Sequence, residues 1–254
     1  MASVEEAMLS EFDYFAPMPV QAMILDEYDD PTQPSATTAG RRVLEFTIPA
    51  NSNAYRDLSS TMLIVKCKVT NADDTNLAND AAVSPVNNLL HALFTSVDVS
   101  ICNQQITDKC TNYPYRAFIE TLLTYDDDVH KMRSTVAGWQ LDTDADAMDR
   151  IVLATAAHVD PNPTFVSRRK QIHQSRSLTL GGRIHSDIFH QNLDIPPDCQ
   201  IVVTLTPSSD KFALMAAADA TFKITVTSAK LHVRTKVVAP ELIMAHRQML
   251  EQCN

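Results

Sequence analysis

Thr61-Met-Leu-Ile-Val-Lys-Cys-Lys-Val-Thr70 decides the fold class. Leu63, Val65, Cys67 and Val69 share one parity, and Lys66 and Lys68 lie on the other. Side chains alternate faces along an extended backbone, so this stretch is a strand with one face in a core and one in water. Sheets covered on one face only are typically antiparallel. The same alternation recurs in Val43–Ile48 (Leu44, Phe46, Ile48), in Thr95–Cys102 (Val97, Val99, Ile101) and in Cys199–Thr206 (Ile201, Val203, Leu205).

The longest run is Thr221–Val238. Phe222, Ile224 and Val226 hold one parity, and Ala229, Leu231 and Val233 hold the other. A one-residue change of phase inside a continuous strand is what a bulge produces, and it is placed near Thr227–Ser228. About eight strands with long connections predict an all-β fold, an antiparallel eight-stranded jelly-roll sandwich. Parallel α/β architecture would need a helix between nearly every pair of strands, and the sequence lacks them.

The sandwich carries a helical insertion at about 113–165. Tyr115, Phe118, Ile119, Leu122 and Leu123 recur at i, i+3, i+4, i+7 and i+8, an amphipathic stripe expected to bury against the sandwich. Pro114 suits the first turn, and Asp126–Asp128 ends the helix. Val129–Trp139 reads as a second helix, and 140–165 as an acidic loop with a short helix around Ala147–Ala157. Ser177–His190 reads as two short strands separated at Gly181–Gly182. The chain therefore divides into an N-terminal arm (1–40), the jelly roll (41–239) and a C-terminal helix (240–254). Pro240 and Glu241 start that helix, and Leu242, Met249 and Leu250 form its apolar stripe. The arm shows no period. Tyr14, Phe15, Met18, Met23 and Tyr28 sit among acids and prolines, a composition that fits partial disorder or ordering on a neighbour.

Composition excludes several classes. The chain has 254 residues, with 31 Asp and Glu against 21 Lys and Arg, net −10. That balance argues against a protein that coats nucleic acid. Only four glycines are present, so neither a Rossmann fingerprint nor a Walker A loop exists. The five cysteines include no C-x-x-C pair, which argues against a structural zinc site or a disulfide scaffold and fits a reducing compartment. The acidic N-terminus does not read as a secretory signal, and Ala2 is incompatible with myristoylation. No apolar run approaches the roughly 20 residues of a transmembrane helix.

Candidate chemistry is sparse. Asp142, Asp144 and Asp146 imitate the start of a calcium loop, but Ala147 replaces the turn glycine and Leu153 the bidentate glutamate. His185, Asp187 and His190 are the densest cluster of ligand-type residues. On a strand His185 and Asp187 would share a face and His190 would oppose them, so further ligands such as His173 or His232 would be needed. No G-x-S-x-G, H-E-x-x-H or cysteine-protease signature occurs. The expectation is therefore no catalytic residue, no metal and no cofactor. Arg168, Arg169 and Lys170 form the one basic concentration. They are candidate partner contacts, with weak or no nucleic-acid binding expected because no aromatic residue interleaves with them.

Three stretches carry a family resemblance. They are Leu58-Ser-Ser-Thr-Met-Leu-Ile-Val-Lys-Cys-Lys-Val69, then Val86-Asn-Asn-Leu-Leu-His-Ala-Leu-Phe-Thr-Ser-Val-Asp-Val99 continuing to Tyr113-Pro-Tyr-Arg-Ala-Phe-Ile-Glu-Thr-Leu-Leu-Thr-Tyr125, and Gly182-Arg-Ile-His-Ser-Asp-Ile-Phe189. Together they resemble the major capsid proteins of Polinton/Maverick elements and the related adintoviruses of animals, from about Arg41 to Asn254. The resemblance implies a double jelly roll that forms trimers tiling an icosahedral shell, with this chain matching the arm and first roll. Pro240–Cys253 then corresponds to the connector helix. Implied partners are further copies of this chain, neighbouring capsomers, minor capsid proteins and a second jelly-roll half. The implied location is the virion, after intracellular assembly. The alternative is a non-viral jelly-roll binding module, lectin-like or cupin-like, although a cupin would show clustered His and Glu ligands and Gly-rich turns.

Overall fold

The computed structural model describes residues 23–35, 43–79, 81–107, 112–124, 134–140, 142, 148–151 and 162–252. Among these, the strands are β1 (Ile24–Thr32), β2 (Leu44–Ile48), β3 (Ala54–Asn71), β4 (Val83–Pro85), β5 (Phe94–Ile101), β6 (Gln104–Gln105), β7 (Leu178–Gly182), β8 (Ile201–Pro207), β9 (Leu214–Ala216) and β10 (Phe222–Val238). The α-helices are α1 (Leu89–Ala92), α2 (Tyr113–Thr124), α3 (Pro163–Ile172), α4 (Asp210–Ala213) and α5 (Pro240–Gln252). One four-stranded sheet runs β1-β10-β3-β7, and a second runs β2-β8-β5-β6; every pairing is antiparallel. These eight strands form the jelly-roll sandwich, and β4 pairs with β9 beside it.

The core lies between the sheets. Leu63, Val65, Cys67 and Val69 of β3 are buried in one cluster with Phe46, Ile48, Val99, Ile201, Val203 and Leu205 of the other sheet. On β10, Ile224 joins this cluster, and so do Ala229, Leu231 and Val233 of opposite parity. The pairing explains this: Val226 faces Cys67 and Ser228 faces Lys66, so Thr227 is the extra residue of a bulge, where the sequence placed it. The Thr227 hydroxyl donates to the Lys66 carbonyl at 3.0 Å.

A larger irregularity interrupts β3. Asp57 pairs with Arg234 and Met62 with His232, so residues 58–61 loop out of the ladder. Asp57 closes that loop. Its carboxylate accepts the Ser59 amide and hydroxyl at 2.9 and 2.7 Å, the Ser60 hydroxyl at 2.9 Å, and the Lys236 ammonium at 3.4 Å. Burial pushes the Asp57 carboxyl up, but the serine hydroxyls and Lys236 outweigh it and hold the group at about 2.

Strand β1 departs from the reading of residues 1–40 as a single arm, because residues 24–32 are an edge strand on β10 of the same chain. Its charges were the missing signal. Asp29 and Glu27 pair with Arg234 at 3.2 and 3.4 Å, and Asp30 reaches the buried Arg56 at 3.5 Å. A strand held by backbone bonds and ion pairs needs no apolar alternation. Tyr14, Phe15 and Met18 lie outside the described residues.

Helix α2 forms where its periodicity indicates, but presents the opposite face to the interior. Tyr113, Ala117 and Thr121 are buried, whereas Tyr115, Phe118, Ile119, Leu122 and Leu123 are 38% to 82% exposed. The helix packs against the sandwich through small and polar side chains, with Ala117 fully buried and the Thr121 hydroxyl bonded back to the Ala117 carbonyl at 2.6 Å. The hydrophobic stripe faces outward.

The sequence differs from the structure in other places too. In α5, Ile243 and Leu242 pack on Tyr55 and Val238, but Met249 and Leu250 are exposed. Only the first turns of α5 lie over the sandwich. Ser177–His190 contributes one strand, β7, which contains both glycines, followed by a 3-10 turn at Asp187–His190. Gly182 sits too close to the Leu90 side chain, 2.8 Å from where a Cβ would be, to allow a larger residue without a shift. Of the expected Val129–Trp139 helix, the described part is a 3-10 turn at Ser134–Ala137. Most of the short helix expected around Ala147–Ala157 lies outside the described residues.

Two predictions follow from this packing. Asp57 is ionised at a lower pH in the folded chain than its unfolded value of about 3.9, so its roughly 2 kcal/mol is fully present above about pH 4. It is lost as the pH falls toward 2. Asp57→Asn is therefore expected to lower the urea midpoint at pH 7 and to flatten its fall between pH 4 and pH 2; an unchanged acid slope would contradict the role given to this carboxylate. Leu122→Ala is expected to change stability by less than about 0.5 kcal/mol, as at other exposed sites. Ala117→Leu on the buried face is expected to cost about 1–3 kcal/mol by overpacking. Denaturant titration of the two variants checks the inverted orientation of α2, which fails if Leu122→Ala proves the costlier change.

Candidate functional site

Two features meet on α2: a polar cluster at its inner edge and an apolar surface on its outer face. The inner edge follows from helical spacing, because Arg116 and Glu120 are four residues apart and pair at 2.6 Å. The other carboxylate oxygen of Glu120, Oε2, lies 2.8 Å from His185 Nδ1 and 3.4 Å from His190 Nε2. Arg116 also forms an ion pair with Asp187, the first residue of the 3-10 turn. That turn, rather than a strand, brings His190 round to the same side as His185, so the opposed parity expected of a strand does not apply. Neither His173 nor His232 takes part; the third ligand-type group is Glu120, distant in sequence.

The cluster is backed by a buried polar chain. His91 of α1 is buried, and its Nδ1 lies 2.9 Å from the Tyr113 hydroxyl. The His185 amide donates to the same hydroxyl at 3.4 Å. The His91 and His185 rings meet edge to face at 4.7 Å. Burial pushes the His91 imidazole well below its usual range, with His185 adding to it. Burial also lowers His185, against the pull of Glu120. The Glu120 carboxyl is raised by burial but brought below its usual value by Arg116 and His185. A carboxylate thus faces a neutral imidazole near neutral pH.

The outer face of α2 presents Ile119, Leu122 and Leu123, flanked by Tyr115 against Phe212 at 5.9 Å and Phe118 against the buried Trp139 at 4.9 Å. These contacts anchor the two aromatic rings and leave the aliphatic centre uncovered. A contiguous exposed patch of this kind marks an interaction surface more often than isolated apolar residues do.

The sequence-named partner contacts fall in different places. Met23 and Tyr28 are exposed at the sheet edge, with Met23 just before β1. Arg168 is buried in α3 and paired with Asp142 at 3.1 Å, Arg169 lies over the Phe165 ring at 6.0 Å, and Lys170 is exposed. The basic run is thus divided by the helix, and its first member serves an internal ion pair. Asp142 is engaged with Arg168 and Asn87; Asp144 and Asp146 lie outside the described residues. A cavity of about 190 Å³ beside β9 and α4 is lined by Asp210, Lys211, Leu214, Phe222 and alanines, with no serine, cysteine or histidine. Among the described residues, no helix is long and apolar enough to cross a membrane.

No protein-family model matches the chain. An uncharacterized protein of Caenorhabditis elegans, F54H12.2, is 24% identical over 180 residues, covering 68% of this chain and 39% of that protein. Among solved structures, a chain of the Sputnik virophage cryo-EM structure aligns with a TM-score of 0.57 at 10% identity, covering 94% of this chain and 53% of that one. The Faustovirus major capsid protein aligns with a TM-score of 0.57 at 11% identity, covering 91% of this chain and 57% of that one. The chain thus spans about half the length of these viral proteins and 39% of the worm protein. At such identities the shared property is the fold: this chain is similar, over nearly all its length, to one part of viral proteins that include a major capsid protein.

Proposed function

We propose that this chain is a shell-forming structural protein of the Polinton/Maverick and adintovirus capsid type, whose activity is self-association into trimeric capsomers of an icosahedral particle. The observation that carries the reading is the outward apolar face of α2. Tyr115, Phe118, Ile119, Leu122 and Leu123 lie at helical spacing on a rigid element and face away from the core. An isolated domain gains nothing from that arrangement, because the same stripe turned inward would add burial. A chain that meets further copies buries it between subunits. The likeness to the Faustovirus major capsid protein supports the same reading, as do the resemblances carried by the three sequence stretches.

On this reading the N-terminal residues, including Tyr14, Phe15 and Met18, clamp a neighbouring subunit, and Met23 and Tyr28 extend that contact along the sheet edge. Exposed Met249 and Leu250 on α5 meet a second jelly-roll half, with α5 as the connector. Each contact is weak alone because ordering an arm costs entropy, and repetition in a closed lattice makes it strong. Neighbouring capsomers and minor capsid proteins are the further partners. The role is structural rather than enzymatic, and its place is the virion.

The test uses the full chain together with a version starting at Met23, which keeps β1, and the double variant Ile119→Asp/Leu123→Asp. Light scattering and negative-stain microscopy are expected to find trimers or larger closed assemblies of the full chain. These should weaken at least tenfold in the double variant and measurably on loss of residues 1–22. Both substituted side chains are exposed, so circular dichroism should be unchanged. A full chain that stays monomeric at high concentration, even with a second jelly-roll half supplied, would mean the shell reading is wrong.

A further inference from the structure

We propose that Glu120, His185 and His190 form a binding site for a divalent transition-metal ion of the zinc class. Their ligand atoms all lie within 4.8 Å of one another, one atom from each residue. Bonds of about 2.0–2.1 Å in a tetrahedral zinc site place neighbouring ligand atoms about 3.3 Å apart. Glu120 Oε2 lies 2.8 Å from His185 Nδ1 and 3.4 Å from His190 Nε2, so shifts of a few tenths of an ångström bring both pairs to that spacing. Two imidazoles and one carboxylate are ligands that suit zinc.

The surroundings orient these ligands without competing for them. Arg116 holds Glu120 through Oε1 at 2.6 Å, which leaves Oε2 directed at the histidines. The positive charge of Arg116 is in turn matched by Asp187, so the cluster keeps a net negative charge to receive a cation. His185 is held by burial and by the hydrogen bond that its backbone N–H donates to the Tyr113 hydroxyl. Supporting contacts of this kind commonly change metal affinity 10–100-fold. His190 is partly exposed and opens the site to solvent, which gives an ion its entry path and a water its coordination position. Binding requires the single proton of neutral His185 to move from Nδ1 to Nε2, and the ion then replaces the hydrogen bond to Glu120. The bound ion would tie α2 to the segment after β7, fixing the helix that carries the apolar face. The inference stands independently of the shell reading, since a metal clip would steady this helix in a monomer as well.

The experiment strips the full chain with a chelator and titrates it with Co2+, then Zn2+. One equivalent of Co2+ is expected to give the visible d–d bands of a four-coordinate site, and Zn2+ to displace it. His190→Ala removes a partly exposed ring, so the fold should persist by circular dichroism while the bands disappear. Glu120→Gln should weaken Co2+ binding at least tenfold, and His173→Ala, an exposed histidine outside the cluster, should leave it unchanged. Absence of these bands in the wild-type chain would overturn the proposal. Equal Co2+ affinity in folded His190→Ala and wild type would overturn it too, and that variant decides the matter if Glu120→Gln does not fold.

Discussion

The antiparallel ladder between β3 and β10 organises the molecule. These are the two longest strands described, 18 and 17 residues, and they lie side by side at the centre of one sheet. β1 attaches to the free side of β10 and β7 to the free side of β3. Two irregularities break the register of this ladder, and a bulge of this kind bends the strand and changes its side-chain phase. Thr227 shifts β10 by one residue, so that Ile224 and Leu231 both reach the core although their parities differ. The loop at 58–61 absorbs the mismatch at the other end, closed by the Asp57 carboxylate on Ser59 and Ser60. Asp57 also meets Lys236 of β10, so the interruption in one strand is tied to its partner.

Much of this was legible in the residues, because alternation is a local signal. The core sides of β2, β3, β5, β8 and β10 read directly from Phe46, Val65, Val99, Val203 and Leu231, and the bulge read from a change of parity. What escaped depends on partners distant in sequence. β1 is Ile-Leu-Asp-Glu-Tyr-Asp-Asp-Pro-Thr, and its place is set by Arg234 and Arg56, which no local pattern reveals. The basic run Arg168-Arg169-Lys170 gives no helical signal in the sequence because its apolar side is thin; it lies in helix α3, with Phe165, Arg168 and Ile172 turned inward and the Asn162 side chain accepting the Phe165 amide at 2.9 Å.

The orientation of α2 is the more instructive discrepancy. A hydrophobic stripe locates a buried surface but does not say which body buries it. In this helix Tyr113, Ala117 and Thr121 meet the sandwich, and the larger apolar residues face away. The Arg116–Glu120 spacing was the available sign of a second, polar role for the inner edge. Its histidine partners come from the segment after β7, beyond the insertion, and their grouping depends on a turn that the sequence reading took for a strand. The same helix thus carries both features that distinguish this chain from a plain sandwich: the polar cluster that fixes it in place and the apolar face that it displays.

If that face exists to be covered by other copies, its side chains must become protected as the chain associates. Hydroxyl-radical footprinting of the full chain across a concentration series measures this at Tyr115, Phe118, Ile119, Leu122 and Leu123. The account predicts that labelling of these five side chains falls together as assemblies form. Assemblies that leave all five as reactive as they are in the dilute monomer would contradict it.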